Sequence, residues 1–214
     1  MGQPGRRPDR AIALVEEKLP GNSAKIRLLL DLDERRPDRV LDVGCGDLSL
    51  WEAVDDRPTV IGVDVALPPS RVPEIERRQA SALSLPFDEG EFDAVVSTQM
   101  LDDLRDRRLA LREMARVLRD GGTLFLTCDS GEAPQSWRAR LRRVPRGPTV
   151  EELRADASAT GFDVETLRRY GRRDLKLVQG ALSGVERLHT MEQEEAATIG
   201  DPREWGLLYL RARA

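Results

Sequence analysis

Several kinds of chemistry are excluded by what this sequence has little of. Its 214 residues include two cysteines and one histidine. Cys45 and Cys128 are far apart, each at or near the end of an apolar run, so there is neither a disulfide framework nor zinc spacing. A reduced, intracellular setting fits that usage, and no metal site is expected. No apolar stretch approaches the roughly 20 residues that span a bilayer. The basic start from Met1 to Pro8 has no apolar core behind it, unlike a signal peptide, and Arg6 stands where an N-myristoylation signal wants Ser or Thr. An excess of positive charge is also missing: 34 Lys and Arg face 38 Asp and Glu, a formal net charge of −4. Whole-chain electrostatics therefore argue against nonspecific nucleic-acid binding. The expectation is a cytoplasmic protein with no membrane partner.

What is present is an alternation of short apolar runs with longer amphipathic segments, the pattern of a parallel sheet flanked by helices. The length suits one domain over residues 1–214, since domains commonly fall between roughly 50 and 250 residues. Ala11 to Leu19 reads as a short helix ended by Pro20-Gly21, and a second helix starts near Asn22-Ser23, both good N-caps. Strands are expected at Arg39 to Val43, Thr59 to Asp64, Ala94 to Ser97, Thr123 to Thr127, around Val164 to Leu167, and Trp205 to Leu210. Between them, Arg107 to Leu118 spaces Leu109, Leu111, Met114, Val117 and Leu118 as one helical face, closed by Asp120-Gly121-Gly122. A helix from Thr149 to Ala159 opens on a capping box of Thr149 with Glu152. A long polar connection runs from Arg172 to about Pro202.

Chemistry concentrates where the first strand delivers Asp42-Val43-Gly44-Cys45-Gly46 into a helix starting near Leu48. Glycine lets a ligand approach the main chain, and a helix N-terminus offers free N–H groups to a carboxylate or phosphate. Asp42, embedded in an apolar strand, is expected to accept backbone N–H bonds that shape this loop. Eighteen positions after Gly46, Asp64 ends the second strand, where a carboxylate can accept ribose hydroxyls. By themselves these two features also suit nicotinamide-binding folds.

Two later blocks narrow the reading. Leu85-Pro86-Phe87-Asp88-Glu89-Gly90-Glu91-Phe92-Asp93-Ala94-Val95-Val96 and Arg112-Glu113-Met114-Ala115-Arg116-Val117-Leu118-Arg119-Asp120-Gly121-Gly122 follow in order. With the glycine loop and Asp64 they resemble class I S-adenosylmethionine-dependent methyltransferases related to the ubiquinone-biosynthesis enzymes, over about residues 38 to 128. The resemblance implies an α/β, Rossmann-like, doubly wound sheet of seven strands, mainly parallel, with the last strand antiparallel. It assigns residues 1–37 to N-terminal helices, 38–128 to the cofactor-binding core and 129–214 to the acceptor side. It places Asp42, Gly44, Cys45 and Gly46 at the methionine end of S-adenosylmethionine and Asp64 and Val65 at the ribose and adenine. Ser81 and Ala82 fall beside the adenine, and Thr98 faces the methionine or its methyl. The sequence departs from the family at three points. Leu48 stands where a third glycine is common, Ser81 replaces an Asp, and Asp120 replaces a Pro.

Methyl transfer to a small-molecule acceptor, releasing S-adenosylhomocysteine, is the implied activity. Asp102 and Asp103 follow the fourth strand and are candidates for a general base or for caps of a helix from Arg105 onward. Asp129 is a third candidate base. Cys45 reads as a small packing residue and His189 as a surface residue. The segment Trp137 to Arg146 holds five arginines and no acid, so it suits an anionic acceptor or, in a rival reading, RNA. Another rival is a cofactor-binding assembly or regulatory subunit that no longer transfers methyl, a reading kept alive by Leu48 and Ser81. The stretch from Arg172 to Pro202 has room to pack on a second copy, giving a homo-oligomer, or to lie over the pocket.

Overall fold

The computed structural model describes residues 23–52, 54, 56–132, 146–171 and 205–214. The expected helix from Ala11 to Leu19 and the connection from Arg172 to Pro202 lie outside them. The strands are β1 (Arg39–Val43), β2 (Thr59–Asp64), β3 (Glu76–Gln79), β4 (Phe92–Thr98), β5 (Leu118–Asp129), β6 (Asp163–Gly171) and β7 (Trp205–Arg213). The helices are α1 (Ser23–Arg35), α2 (Ser49–Glu52), α3 (Arg107–Val117) and α4 (Val150–Ala159), with a 3₁₀ turn at Leu101–Asp103.

One seven-stranded sheet runs in the order β3-β2-β1-β4-β5-β7-β6. The pairs among β1 to β5 are parallel, and β7 lies antiparallel between β5 and β6. Side chains alternate across the pleat, so each strand feeds two cores. On one face Leu41, Val95, Leu124, Leu126 and Leu210 pack with Met114 of α3 and Leu153 of α4. On the other, Val40, Val60, Val96, Phe125 and Tyr209 pack with Leu28 and Leu32 of α1 and Trp51 of α2. Burial on both faces is why β1 and β2 read as largely apolar runs, with Asp42 the polar interruption in β1.

The two resembling sequence blocks turn out to be one contact. The Glu113 carboxylate on α3 accepts the Leu85 N–H at 2.8 Å, while Arg116 donates to Leu85 O at 3.0 Å and Phe87 O at 2.8 Å. These charged groups satisfy backbone that would otherwise be stranded beside the core. α1 is held differently. Asp31, 1% exposed, accepts from Tyr209 at 2.6 Å and pairs with Arg27 at 2.7 Å and Arg211 at 3.0 Å. Two cations and a phenol compensate a carboxylate that burial alone would penalise.

The structure differs from the sequence expectation at several elements. β3 was not anticipated, because Glu-Arg-Arg-Gln has no apolar residue; it forms by pairing its backbone with β2 at the sheet edge. Leu118, expected on the helix, is extended (ψ 138°) and opens β5, which continues through Gly121-Gly122. Strands β4, β6 and β7 each extend beyond their expected ends. The cap of α3 is Asp106, whose side chain accepts the Leu109 N–H at 3.0 Å, so Asp102 and Asp103 are not helix caps. The capping box of Thr149 with Glu152 is present as expected. Among the described residues no helix is long and apolar enough to cross a membrane.

Candidate active site

Strand order reverses direction between β1 and β4, and the loop after β1 covers that switch point, where such sheets open a crevice at their carboxyl ends. Gly44 has φ +79°, and a Cβ there would lie 2.6 Å from Met100, so both backbone and neighbour require glycine. The Gly44 and Cys45 N–H groups donate to Val63 O at 2.8 and 3.1 Å, folding the loop across β2. Leu48 also takes a left-handed backbone, φ 64°, with its side chain fully buried. It fits because Gly62 on β2 leaves room: a Cβ at Gly62 would meet Cys45 Sγ at 2.8 Å and Leu48 Cδ2 at 3.2 Å. The left-handed backbone costs roughly 1–2 kcal/mol, less than the roughly 3–5 kcal/mol at stake in a buried leucine. Leu48, standing where a third glycine is common, thus follows a glycine-like backbone and turns its side chain into the core.

Asp42 ends up buried beneath this loop. Its Oδ2 accepts the indole N–H of Trp51 at 2.7 Å, and the buried Oδ1 has no hydrogen-bond partner. The expected backbone donors are replaced by a side chain, which sequence could not locate. Burial pushes the Asp42 pKa up to about 7; the Trp51 N–H and the Lys25 charge oppose that rise, and Asp64 adds to it. Burial likewise pushes the Cys45 thiol up to about 12, which fits packing and not nucleophilic work.

Asp64 flanks the loop from the end of β2. Its Oδ2 accepts the Gly46 N–H at 2.9 Å and its Oδ1 the Ala66 N–H at 3.1 Å. Two backbone donors thus orient the carboxylate and leave a lone pair on each oxygen for a ligand. Val65 beside it is 67% exposed, an apolar side chain offered to solvent at the strand end. Ser81 is half-buried and its hydroxyl accepts the Leu83 N–H at 3.2 Å, while Ala82 is buried in the core.

At the end of β4, Thr98 is half-buried and Gln99 has φ +54°. The Gln99 N–H donates to Thr127 O at 2.7 Å, which turns the chain across the end of β5. Asp102 is half-buried in the following 3₁₀ turn, and its Oδ1 accepts the Asp129 N–H at 3.4 Å. Burial raises its pKa above the usual carboxylate value; backbone N–H groups oppose the rise, and the Asp129 and Asp103 charges add to it. Asp103 is exposed. The fold thus brings Asp102 and Asp129 together and leaves Asp103 outside. His189 and residues 137–145 of the arginine-rich segment lie outside the described residues; Arg146 donates to Gly131 O. Sequence reasoning missed Lys25, Trp51, Arg77, Gln99 and Met100; of these Lys25, Arg77 and Met100 reach Asp42 or the glycine loop only through packing of separate segments.

The sheet and this loop define a Rossmann-like domain with a glycine loop at the switch point of its strand order. A family model described as a methyltransferase domain matches residues 41–126. An O-methyltransferase of Aspergillus nomiae, rstn1, is 33% identical over 161 residues, 64% of this chain and 72% of that protein. A malonyl-[acyl-carrier protein] O-methyltransferase of Pseudescherichia vulneris is 35% identical over 124 residues, 52% of this chain and 49% of that protein. The chain therefore spans about half the length of the second relative. The crystal structure of the cyclase SpnF superposes with a TM-score of 0.61 at 20% identity, covering 100% of this chain and 98% of that one, which shows the fold. The chain belongs to the class I S-adenosylmethionine-dependent methyltransferases.

Proposed function

We propose that this methyltransferase acts on a hydroxyl group of a small molecule, with Asp102 taking the hydroxyl proton. The observation that carries the proposal is the half-buried Asp102 carboxylate, its pKa raised, tied to the end of β5 through the Asp129 N–H. A carboxylate with a raised pKa is a better proton acceptor at neutral pH than an ordinary one. Both relatives named above are O-methyltransferases by name, which supports an oxygen acceptor.

The residues present fit the cofactor. Asp42 Oδ1, buried and without a hydrogen-bond partner, suits the ammonium group of the methionine moiety. Gly44, Cys45 and Gly46 bring backbone to that end, and the paired lone pairs of Asp64 suit the ribose hydroxyls. Val65, Ser81 and Ala82 are assigned to the adenine side and Thr98 to the methyl end. When bound, S-adenosylmethionine supplies a methyl group on a good leaving group. The protein's part is then alignment, exclusion of water and removal of the acceptor proton, and alignment can supply much of the rate.

Incubation with S-adenosylmethionine and a panel of phenols, alcohols, amines and thiols, followed by mass spectrometry for S-adenosylhomocysteine and methylated product, tests this. Methyl ethers are expected. Transfer confined to amines or thiols overturns the hydroxyl assignment, and tight cofactor binding with no transfer to any acceptor favours a non-transferring subunit.

A further inference from the structure

We infer that Arg77 is a positioning residue of the cofactor site: its guanidinium pins the glycine loop to the segment after β2 and so holds Asp64 turned toward the ribose. This rests on the reading of Asp64 as the ribose ligand. Arg77 Nη1 donates to Gly46 O at 3.0 Å and to Pro68 O at 2.7 Å. The N–H of the same glycine donates to Asp64 Oδ2 at 2.9 Å. Gly46 is therefore held from both sides, its carbonyl by a cation and its amide by the carboxylate.

Gly46 needs that restraint. It has φ +51°, and a Cβ on it would meet nothing within 4 Å, so no neighbour crowds it into place. A glycine in open space is the freest point of a loop, and only hydrogen bonds fix its peptide planes. Arg77 can reach it because β3 registers Arg77 opposite Gly62, which has no side chain in the way. A guanidinium spans two carbonyls with charge-assisted bonds, stronger than neutral ones. Neighbouring contacts reinforce the same seam. The Arg71 N–H donates to Asp47 O at 2.9 Å and its Nε to Asp47 Oδ2 at 2.7 Å, and Gln79 donates to Val65 O at 2.9 Å.

Calorimetry with S-adenosylhomocysteine on the full chain, together with cofactor KM, kcat and thermal unfolding of the free protein, tests the role in Arg77→Met, Arg77→Lys and Asp64→Asn. Arg77→Met is expected to weaken binding and raise KM roughly tenfold or more, the scale of a lost charge-assisted hydrogen bond, with kcat at saturation within about twofold. Arg77→Lys, which keeps a cationic donor, recovers part of the affinity. In an Asp64→Asn background Arg77→Met costs less than it does alone, because the two act on one contact. Wild-type affinity in Arg77→Met overturns the inference. So does a loss that tracks the unfolding temperature, or one that Arg77→Lys leaves unrescued. If Arg77→Met does not fold, Arg77→Gln alone and combined with Asp64→Asn carries the test, and wild-type affinity in Arg77→Gln, or losses that simply add in the double variant, overturns the inference. Failure of the wild-type protein itself to bind S-adenosylhomocysteine overturns the ribose reading as well, whereas a weakened Asp64→Asn with an unaffected Arg77→Met sinks only the role of Arg77.

Discussion

Trp51 donates its indole N–H to the buried Asp42 carboxylate at 2.7 Å, joining the end of β1 to α2 across the glycine loop. Replacing it by Phe keeps most of the packing but leaves both Asp42 oxygens without a donor. Trp51→Phe is expected to destabilise the protein by about 1–3 kcal/mol, the cost of a stranded buried polar group. Urea unfolding monitored by circular dichroism measures it.

Asp42 also makes stability depend on pH. Its pKa is about 7 in the folded protein against an ordinary 3.8. Below pH 4 it is protonated in both states. Between about pH 4 and 7 the unfolded chain has released a proton that the folded protein retains, so stability from this group falls as pH rises and levels off above 7. Asp42→Asn removes that slope. Its stability relative to wild type should rise from pH 5 to pH 8, by on the order of a few kcal/mol, in urea titrations at each pH.

Leu48 holds a left-handed backbone for the sake of its side chain. Leu48→Gly relieves roughly 1–2 kcal/mol of backbone cost but forfeits roughly 3–5 kcal/mol of packing, so a net loss of about 1–4 kcal/mol is expected. Thermal unfolding checks the sign; a stabilised variant would show that the buried contact with the Gly62 notch contributes little.

The anchorage of α1 gives a graded series. Tyr209→Phe removes one hydrogen bond to Asp31 and should cost about 1–3 kcal/mol. Asp31→Ala removes the buried carboxylate that Tyr209, Arg27 and Arg211 share, while Arg211 keeps its pair with Glu165 at 3.1 Å, and should cost about 3–5 kcal/mol. The order of the two in chemical unfolding is the discriminating result.

For the proposed base, Asp102→Asn should lower kcat by about 10²–10⁴-fold, whereas Asp103→Asn should change it by less than about threefold. Cofactor affinity by calorimetry should be nearly unchanged in both. Equal losses in the two variants would contradict the assignment of the proton transfer to the half-buried member.

What the sequence disclosed follows from what each segment must do locally. Arg39–Val43 and Thr59–Asp64 were read to the residue, because strands buried on both faces have to be apolar runs. Thr149–Glu152 was read because a capping box is a four-residue contact. β3 was invisible, since an edge strand held by its backbone places no demand on side chains. The crevice was legible in outline: the Gly44–Gly46 loop and Asp64 fall where a strand–loop–helix unit delivers them. Their partners were not legible. The donor to Asp42 was expected from the backbone and came from Trp51. The hold on Gly46 O comes from Arg77, 31 positions away, on a strand whose sequence does not announce it.

The insertion of β7 between β5 and β6 sets an order on assembly. β5 and β6 do not pair with each other in the sheet; both pair with a strand at least 34 residues later in sequence than either. Until that strand arrives, β5 presents an unpaired edge lined by Leu124, Leu126 and Cys128, a surface that invites pairing with other chains. The half-sheet of β3-β2-β1-β4-β5, which holds the glycine loop and Asp64, closes mostly through contacts nearer in sequence. Sequence separation alone thus favours early closure of the half that carries the glycine loop and Asp64, while protection of the β5 edge waits for β7.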